Sequence, residues 1–345
     1  MDSLPLFVVW ILKIVVIFGG MVTTAALMTL AERKVSAWIQ YRHGPNRVGP
    51  LGLLQPLADG IKALFKEELV PAGANKLIFR LAPALAAMPA MMTIAVIPIG
   101  GEIAFGSRTT NLSIADVPIG VMYILAVGGL SVYGVILGGW ASNSKYSLLG
   151  GLRASAQMIS YELTLILTIL AVVAVSGSLE LREVIAAQQP HDGSWGLWNV
   201  VRQPLAFGLF TIATFAETNR HPFDFAECEP ELVGGFHTEY SGMRFALYFL
   251  GEYCAMVVMS LLNATLFFGG TAIPFLPEAH WTLGVAALCL KAGFFLFLFL
   301  WVRWSLPRLR FDQLMRLGWK VMLPLALANL LATGAVIALC GGNSP

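Results

Sequence analysis

The stretch PLFVVWILKIVVIFGGMVTTAALMTL, residues 5–30, is an almost unbroken apolar run near the start of the chain. A helix needs about 20 apolar residues to cross the hydrocarbon core of a bilayer, and this run is longer than that. It is also too long for the hydrophobic region of a signal peptide, and Lys13 lies inside it rather than before it. No small-x-small cleavage site leads from it into a soluble domain. The stretch therefore predicts a first membrane span.

The whole chain shares the apolar character of this stretch. Of its 345 residues 57% are hydrophobic and only 12% are charged, and the mean hydropathy is +0.74. Soluble domains carry roughly 25% charged residues, so these values indicate an integral membrane protein. The formal net charge of +2 gives no electrostatic reason to expect nucleic-acid binding.

Further apolar segments of similar length follow the first, and together they predict about eight tilted transmembrane helices. The predicted spans are residues 5–30, 81–101, 118–140, 155–176, 197–216, 244–270, 281–302 and 321–340. The fifth span is the least regular because Arg202 and Pro204 interrupt it. The predicted fold is an all-α integral membrane protein in which residues 1–345 form a single polytopic domain.

The basic residues predict how the spans are oriented. Of the 22 Lys and Arg residues, Arg108, Arg182 and Arg202 fall in connections on one side, and Lys13 and Lys291 fall within spans. The others fall on the opposite side, which the positive-inside tendency makes the cytoplasmic side, or the matrix side in an organelle. Both termini are then expected on the periplasmic side of a bacterial inner membrane, the location that we favour.

The first inner loop, residues 31–80, contains an amphipathic pattern. Apolar residues recur at helical spacing at Leu54, Leu57, Ala58, Ile61, Leu64 and Phe65. Asp59, Lys62 and Lys66 lie on another face. The pattern predicts a helix that lies in the plane of the membrane interface. A charged face on such a helix has solvation by water as its simplest explanation.

The sequence indicates no metal or iron–sulfur site. The four cysteines are Cys228, Cys254, Cys289 and Cys340. They lack C-x-x-C spacing, and the five histidines are equally scattered. No G-x-G-x-x-G follows a strand either. We therefore expect any redox cofactor on a partner or as a diffusing substrate.

Acidic residues gather at the inner ends of the predicted spans, where burying a charge is costly. Glu162 and Glu252 lie inside the fourth and sixth spans. Glu32 and Glu217 end the first and fifth. The loop 217–243 adds the further acids Asp224, Glu227, Glu229, Glu231 and Glu239.

Carboxylates at this density cannot all ionise in a low-dielectric site, and groups with coupled, raised pKa values can pass protons. The pattern therefore favours half of a proton path, from the inner side to mid-membrane, which Lys291 could end or counter-charge. The alternative is that Glu162 and Glu252 pair with arginine or backbone groups and only hold helices together.

The spacing of the acids in the loop 217–243 argues against a regular helix. In a helix Glu227 and Glu231 would share a face while Glu229 would point away. We therefore expect an irregular segment in which Gly234 and Gly235 permit movement.

Four stretches of the chain resemble a known family. They are ERKVSAWIQYRHGPNRVGPLGLLQPLADGIKALFKE (32–67), GWASNSKYSLLGGLRASAQMISYE (139–162), AETNRHPFDFAECEPELVGGFHTEYSG (216–242) and LWVRWSLPRLRFDQLMRLGWK (300–320). The family is the H subunit of proton-pumping NADH:quinone oxidoreductase, respiratory complex I, whose mitochondrial counterpart is NADH dehydrogenase subunit one. The resemblance covers nearly the whole chain, and the string P-F-D-x-x-E-x-E-x-E-L-x-x-G at 222–235 is its most specific part.

The resemblance implies roles for residues at matching positions. The subunit forms a quinone chamber with hydrophilic subunits and couples quinone reduction to proton translocation through a chain of carboxylates. That chain would be Glu162, Glu217, Glu227, Glu229, Glu231 and Glu252. The quinone-binding set would be Glu32, Arg33, Asp59, Lys62, Arg220 and Asp224, of which the last two would fix the acidic loop. The residues docking the hydrophilic arm would be Arg303, Arg308 and Arg310.

The resemblance also implies partners and cofactors. The inner loops 31–80, 141–154, 217–243 and 303–320 would contact the hydrophilic arm, whose subunits carry the flavin and the terminal iron–sulfur cluster. The substrate would be a quinone, expected to be ubiquinone, with no metal or covalent cofactor on this chain. Two alternatives are the corresponding subunit of an ion-pumping membrane-bound hydrogenase and an independent proton-coupled transporter. A transporter predicts inverted repeats, which the sequence does not display.

Overall fold

Long helices make up most of the backbone in this computed structural model, which describes residues 6–105, 108–189, 197–226, 229–273 and 280–341. In chain order the α-helices are α1 (Leu6–Ile39), α2 (Gln55–Phe65), α3 (Lys76–Thr93), α4 (Gly120–Gly128), α5 (Ser131–Ala141), α6 (Lys145–Ser176), α7 (Leu181–Ala186), α8 (Asn199–Arg202), α9 (Pro204–Glu217), α10 (Glu229–Leu232), α11 (Gly242–Phe267), α12 (Trp281–Ser305), α13 (Phe311–Leu317) and α14 (Leu323–Gly341). A π-helical turn, Gly318–Met322, joins the last two.

Within the part of the chain that the structure describes, seven helical segments are long and apolar enough to cross a membrane. They are Phe7–Ile39, Lys76–Val96, Gly120–Ala141, Lys145–Ser176, Gly242–Phe267, Trp281–Ser305 and Phe311–Leu339. The predicted all-α membrane fold is therefore confirmed. The fifth predicted span is the shorter apolar helix α9, because Pro204 begins a new helix after α8. Its 14 residues extend about 21 Å, less than the thickness of a bilayer core.

A β-hairpin between the second and third spans was not predicted from the sequence. Strand β1 (Gly100–Phe105) pairs antiparallel with β2 (Arg108–Leu112), with Ile103 opposite Thr110. The strands are only six and five residues long. Runs this short carry too little alternation to be separated from a loop by pattern alone.

The core lies between α6 and α11, the two helices with the most extensive buried faces. Helix α11 packs against α3, α12 and α1, and α6 packs against α5, α9 and α14. The crossings are close because glycines remove side chains from them. A Cβ on Gly134 would lie 2.3 Å from the Ala86 backbone nitrogen, and one on Gly251 would lie 2.8 Å from the Ala87 Cα. The sequence places those glycines, but only packing gives them this role.

The amphipathic helix predicted in the first loop is present as α2. None of its residues is buried, and its apolar side chains are open to the surroundings, with Phe65 87% exposed. Arg33 of α1 holds α2 in contact with α1 through an ion pair with Asp59 at 2.7 Å. Helix α1 continues to Ile39, nine residues past the predicted end of the first span, and so carries Glu32 and Arg33 on adjacent faces of one rigid element.

The acidic loop is irregular, as predicted from its spacing. Helix α10 is a single turn of four residues, and Val233 after it has φ 66°. Gly235, with φ 67°, begins a short 3₁₀ turn. A non-glycine residue at positive φ is uncommon, so this path is held by its surroundings rather than by local preference.

Lys291 in α12 does not contact a carboxylate of the described residues. Its ammonium donates hydrogen bonds to the carbonyl oxygens of Phe268, Gly270 and Ala272 at 2.7, 2.8 and 2.6 Å. It also lies 5.0 Å from the ring centroid of Trp198. These carbonyls follow the end of α11, where the helix dipole favours a cation. Lys291 therefore caps this helix.

Candidate functional site

The centre of the candidate site is a buried group of charges around Arg220. The guanidinium Nη1 lies 3.1 Å from Glu32 Oε2, and Nε lies 2.6 Å from Glu252 Oε1. Arg303 forms an ion pair with the other oxygen of Glu32. The Tyr253 hydroxyl donates to Glu32 Oε2 at 2.7 Å, and the Arg220 guanidinium lies over the Tyr253 ring, 4.4 Å from its centroid.

This buried group is assembled from four elements that are distant in sequence. Helix α1 provides Glu32, α11 provides Glu252 and Tyr253, and α12 provides Arg303. Arg220 comes from the turn that follows α9. Burial alone would lower the pKa of the Arg220 guanidinium, but Glu252 and Glu32 outweigh this and raise that pKa. Arg220 therefore stays charged and balances the two acids.

A cavity of about 100 Å³ adjoins this buried group. Glu252 and Glu217 both line it, together with Tyr248 and Asn219. A buried water needs roughly 10–15 Å³ and two to four polar partners, so the cavity has room for several waters near these acids. The cavity joins the acid at the end of α9 to the acid inside α11.

The acids on the far side of this cavity are in a different setting. Glu217 Oε2 is buried and has no hydrogen-bond partner among the described residues. Glu162 of α6 lies close enough to Glu217 for the two negative charges to repel each other. No described Lys or Arg forms an ion pair with either carboxylate. Two neighbouring acids without a cation are the arrangement in which a proton is most readily held.

Comparison with known proteins identifies the family. The family model described as NADH dehydrogenase matches residues 12–334. The chain belongs to the NADH dehydrogenase family. It is 53% identical to an H subunit of the NADH-quinone oxidoreductase of Geobacter metallireducens, over 95% of this chain and 96% of that one. It is also 53% identical to the H subunit of the NADH-quinone oxidoreductase of Thermomicrobium roseum, over 90% of this chain and 91% of that one. It is 47% identical to NADH-quinone oxidoreductase subunit 8 of Rhodothermus marinus, over 98% of this chain and 99% of that one.

The predicted quinone-binding residues of this NADH dehydrogenase family member fall in three places, one of which is the acidic loop, where Asp224 pairs with Arg308. Arg33 and Asp59 meet where α1 contacts α2, and Gln55 donates to Asp59 at 3.0 Å. Lys62 is exposed on the same short helix. Glu32 and Arg220 instead belong to the buried group. The structure thus separates the exposed pair Arg33–Asp59 at α2 from the buried pair Glu32–Arg220, whose glutamate immediately precedes Arg33 on α1.

Two of the three predicted docking arginines bind within the chain. Arg303 pairs with Glu32. Arg308 donates to the carbonyl oxygen of Asp224 and lies 3.2 Å from its Oδ2, which fastens the acidic loop to the connection after α12. Arg310 is exposed, so among these arginines it is the one whose side chain faces outward.

The acidic loop supplies fewer site residues than the sequence suggested. Glu231 Oε2 accepts from Arg153 Nη1 at 2.5 Å, and its side chain is more than half exposed. Glu227 lies outside the described residues, and of Glu229 only the backbone, in α10, is described. The structure brings together Glu32, Glu252, Glu217 and Glu162, while Glu231 contacts α6 at the surface.

Several residues of the site had no distinguishing signal in the sequence. Tyr253 and Tyr248 are two of eight tyrosines, and nothing in their immediate sequence marks them as partners of Glu32 or of the cavity. Asn219, which donates to Met158 Sδ and accepts from Gln157, borders the cavity from the turn after α9. Tyr248 and Glu252 are four residues apart on α11 and share a face. That spacing could have suggested that both side chains line the same cavity.

Proposed function

We propose that this chain forms the quinone-binding chamber of an NADH-quinone oxidoreductase together with hydrophilic partner subunits, and that it couples quinone reduction to proton translocation. The observation that carries the proposal is the set of contacts from Glu32 through Arg220 to Glu252, and from Glu252 to the cavity shared with Glu217. Membership of a family whose relatives are named as NADH-quinone oxidoreductase subunits supports it.

The first step of the coupling is electrostatic. Reducing a quinone adds two electrons and two protons, so negative charge appears transiently wherever protons arrive later than electrons. Glu32 would be the first buried acid to respond, because its neighbour Arg33 reaches the exposed helix α2. Since Arg220 contacts Glu32 and Glu252 together, a change in charge at Glu32 alters the stabilisation of Glu252.

The second step is proton movement through the cavity. Glu252 lines the same cavity as Glu217, and waters there would bridge the two carboxylates. Glu217 is close enough to Glu162 for proton occupancy at one to change proton affinity at the other. Glu227, Glu229 and Glu231 would extend this relay toward the inner surface. The path would therefore run along α11, α9 and α6 into the membrane.

The quinone tail would enter beside α1 and α2. A long apolar tail requires an apolar route from lipid, and α2 presents Leu57, Ile61, Leu64 and Phe65 to its surroundings without any buried residue. Arg33, Asp59 and Lys62 would contact the polar head as it passes. Arg310 and the inner loops would bind the hydrophilic arm, which carries the flavin and iron–sulfur clusters, and ubiquinone would be the native quinone.

The chain is a multi-pass inner-membrane protein. Its basic loops would face the cytoplasm and both termini the periplasm. Placing the acidic group at the cytoplasmic end puts it on the side where a hydrophilic arm can dock, and the proposed relay would take protons up from that side.

A direct test uses the purified complex that contains this chain. Glu252→Gln should lower NADH-driven quinone reduction by at least about tenfold, a conservative figure for a group that transfers protons. Reduction of ferricyanide by NADH, which bypasses the quinone, should be unchanged and report an intact hydrophilic arm. Glu183→Gln is the matched control, because Glu183 is exposed on α7 among the outer connections.

Three results would contradict the proposal. Quinone reduction that stays normal in Glu252→Gln and resists an inhibitor of the quinone chamber would remove the chain from the quinone path. A nickel centre and hydrogen evolution without quinone activity would instead identify a hydrogenase complex, and proton-coupled solute uptake by the isolated chain would identify a transporter.

A further inference from the structure

The third long segment, Gly120–Ala141, is interrupted between α4 and α5. The Leu130 N–H bonds to the Val127 carbonyl at 3.1 Å and the Tyr133 N–H bonds to the Leu130 carbonyl at 3.2 Å, which tightens the turn. Gly129 within it has φ −60° and ψ −20°, ordinary right-handed helical values. Any residue adopts this conformation, so backbone geometry does not explain a glycine here.

The limited space around position 129 explains the glycine. A Cβ on Gly129 would lie 2.7 Å from Glu162 Oε1 and 3.6 Å from both Cδ and Oε2. Real Cβ atoms essentially never come within 3.0 Å of another heavy atom in this way. The Glu162 carboxylate therefore occupies the volume that a side chain at position 129 would fill.

This contact differs from the glycine contacts that hold the helices together. At Gly134 the added Cβ would meet the Ala86 backbone nitrogen at 2.3 Å, and at Gly139 the Ser147 carbonyl oxygen at 2.5 Å. Backbone atoms cannot retreat without moving a helix. At Gly129 the obstructing atom is the far end of a flexible side chain, which can rotate away. A methyl group there would displace the carboxylate rather than unfold the protein.

The turn also lies beside the cavity of the candidate site. Gly128, one residue earlier, lines the cavity that Glu217 and Glu252 share. The Gly128–Gly129 turn therefore contacts the cavity with one residue and the Glu162 carboxylate with the next. Glu162 in turn acts electrostatically on Glu217.

We propose that Gly129 is a positioning residue for Glu162: it leaves the room in which the Glu162 carboxylate rests against the α4–α5 turn, beside the cavity. The inference rests on the proposed function, because it assigns Gly129 an effect on proton transfer through Glu162. In this position the carboxylate is near Glu217 and beside the turn that borders the cavity. Displaced from it, the carboxylate would move away from the turn and the transfer distance would change.

The test is Gly129→Ala in the complete complex, measured as NADH-driven proton pumping and quinone reduction. We expect a loss on the order of tenfold, since a misplacement of 1 Å can cost up to about 100-fold. The amount of complex and NADH:ferricyanide activity should match the wild type. Gly208→Ala is the matched control, because Gly208 lies inside α9 and an added Cβ there has nothing within 4 Å.

Two double variants test whether the effect passes through Glu162. Glu162→Asp shortens the side chain by one methylene, so Gly129→Ala should cost several-fold less in that background than in the wild type. In a Glu162→Ala background, where no carboxylate is left to displace, Gly129→Ala should cause no further loss. Partial rescue by aspartate and a vanishing effect with alanine together support the positioning role.

The contrary outcomes distinguish the positioning role from the relay itself. Gly129→Ala that behaves like Gly208→Ala, with Glu162→Ala impaired, overturns the positioning role and leaves the relay standing. A loss in Gly129→Ala that persists undiminished beside Glu162→Ala also overturns it, because the methyl group then acts elsewhere. Full pumping in Glu162→Ala overturns both, because Glu162 is then not on the path.

Discussion

The acids on the two sides of the central cavity have opposite surroundings. On one side Glu252 and Glu32 share Arg220, and Glu32 also binds Arg303 and the Tyr253 hydroxyl. On the other side Glu217 and Glu162 are near each other, and among the described residues neither forms an ion pair with an arginine or lysine. A nearby cation favours the charged form of an acid, whereas neighbouring acids without a cation favour holding a proton.

The difference suggests a division of labour along the proposed relay. In the proposed relay the arginine-bound side would respond to charge, because a fixed cation shared by two acids transmits an electrostatic change from one to the other. The unpaired side would store and pass protons. The two interpretations of the intramembrane acids, structural pairing and proton relay, would then each apply to a different half of the site. Glu252 belongs to both, since it is paired and also lines the cavity.

The largest expected effect comes from breaking the paired side. Arg220→Leu would leave two buried carboxylates without their shared cation, which costs about 3–5 kcal/mol in comparable buried pairs. We expect little assembled complex in membranes, measured by native electrophoresis and NADH:ferricyanide activity. Arg202→Leu is the control, because Arg202 is exposed and lies before the start of α9, whereas Arg220 follows its end.

Arg220→Lys sharpens the same comparison. Lysine keeps the charge but cannot offer the planar set of donors that reaches both carboxylates, so we expect assembly near normal with reduced quinone activity. Normal assembly in Arg220→Leu would mean that other groups stabilise Glu32 and Glu252. Sharing Arg220 would then not distinguish these two acids from Glu217 and Glu162.

A smaller effect on assembly, but a large one on pumping, is expected on the unpaired side. Glu217→Gln replaces the acid with a neutral group of the same shape and leaves no buried charge without a partner. The complex should assemble normally, while NADH-driven proton pumping falls roughly 10- to 100-fold because the glutamine cannot carry a proton. Impaired assembly in this variant would indicate that Glu217 is held ionised by a partner. Glu217 would then be a paired acid like Glu252, and the two sides of the cavity would not differ.

The smallest predicted effect concerns His221, next to Arg220. Burial lowers the pKa of its imidazole, and Arg308 and Arg303 lower it further. A depressed pKa contributes stability that is present above the unfolded value of 6.5 and is lost as the pH falls toward the folded pKa. The complex should therefore melt at lower temperature below pH 6.5 than above it. In His221→Gln the difference between the two melting temperatures should shrink. An unchanged difference would exclude His221 as its source.

Much of the fold was accessible from local pattern. Long apolar runs mark the spans because the bilayer demands length and hydrophobicity in one continuous segment, and α2 follows from its 3.6-residue periodicity. The irregular acidic loop followed from the mismatch between its two-residue alternation and a helical face. The hairpin β1–β2 was less accessible, since its strands are too short to display a period. The fifth span was predicted too long, because Pro204 begins a new helix after α8.

The candidate site was predictable in composition but not in pairing. The excess of acids near the inner surface is visible in sequence, yet Arg220 and Glu32 are 188 positions apart and Tyr253 and Glu32 are 221 apart. No local pattern encodes such contacts. Arg303 and Arg308 were predicted to dock a partner, a role that still has to be tested, and the structure places both on acidic residues of the same chain.

The sequence by itself determined that this protein has many helices long enough to cross a membrane, carries an amphipathic helix in its first long loop and gathers carboxylates at one end of the predicted spans, because these properties depend on residue type and nearest spacing. Only the tertiary structure decided which carboxylates are neutralised and which are not. Charge balance depends on distances of a few ångströms between helices that are far apart in the chain, and the room for a carboxylate, as at Gly129, depends on a neighbour's packing.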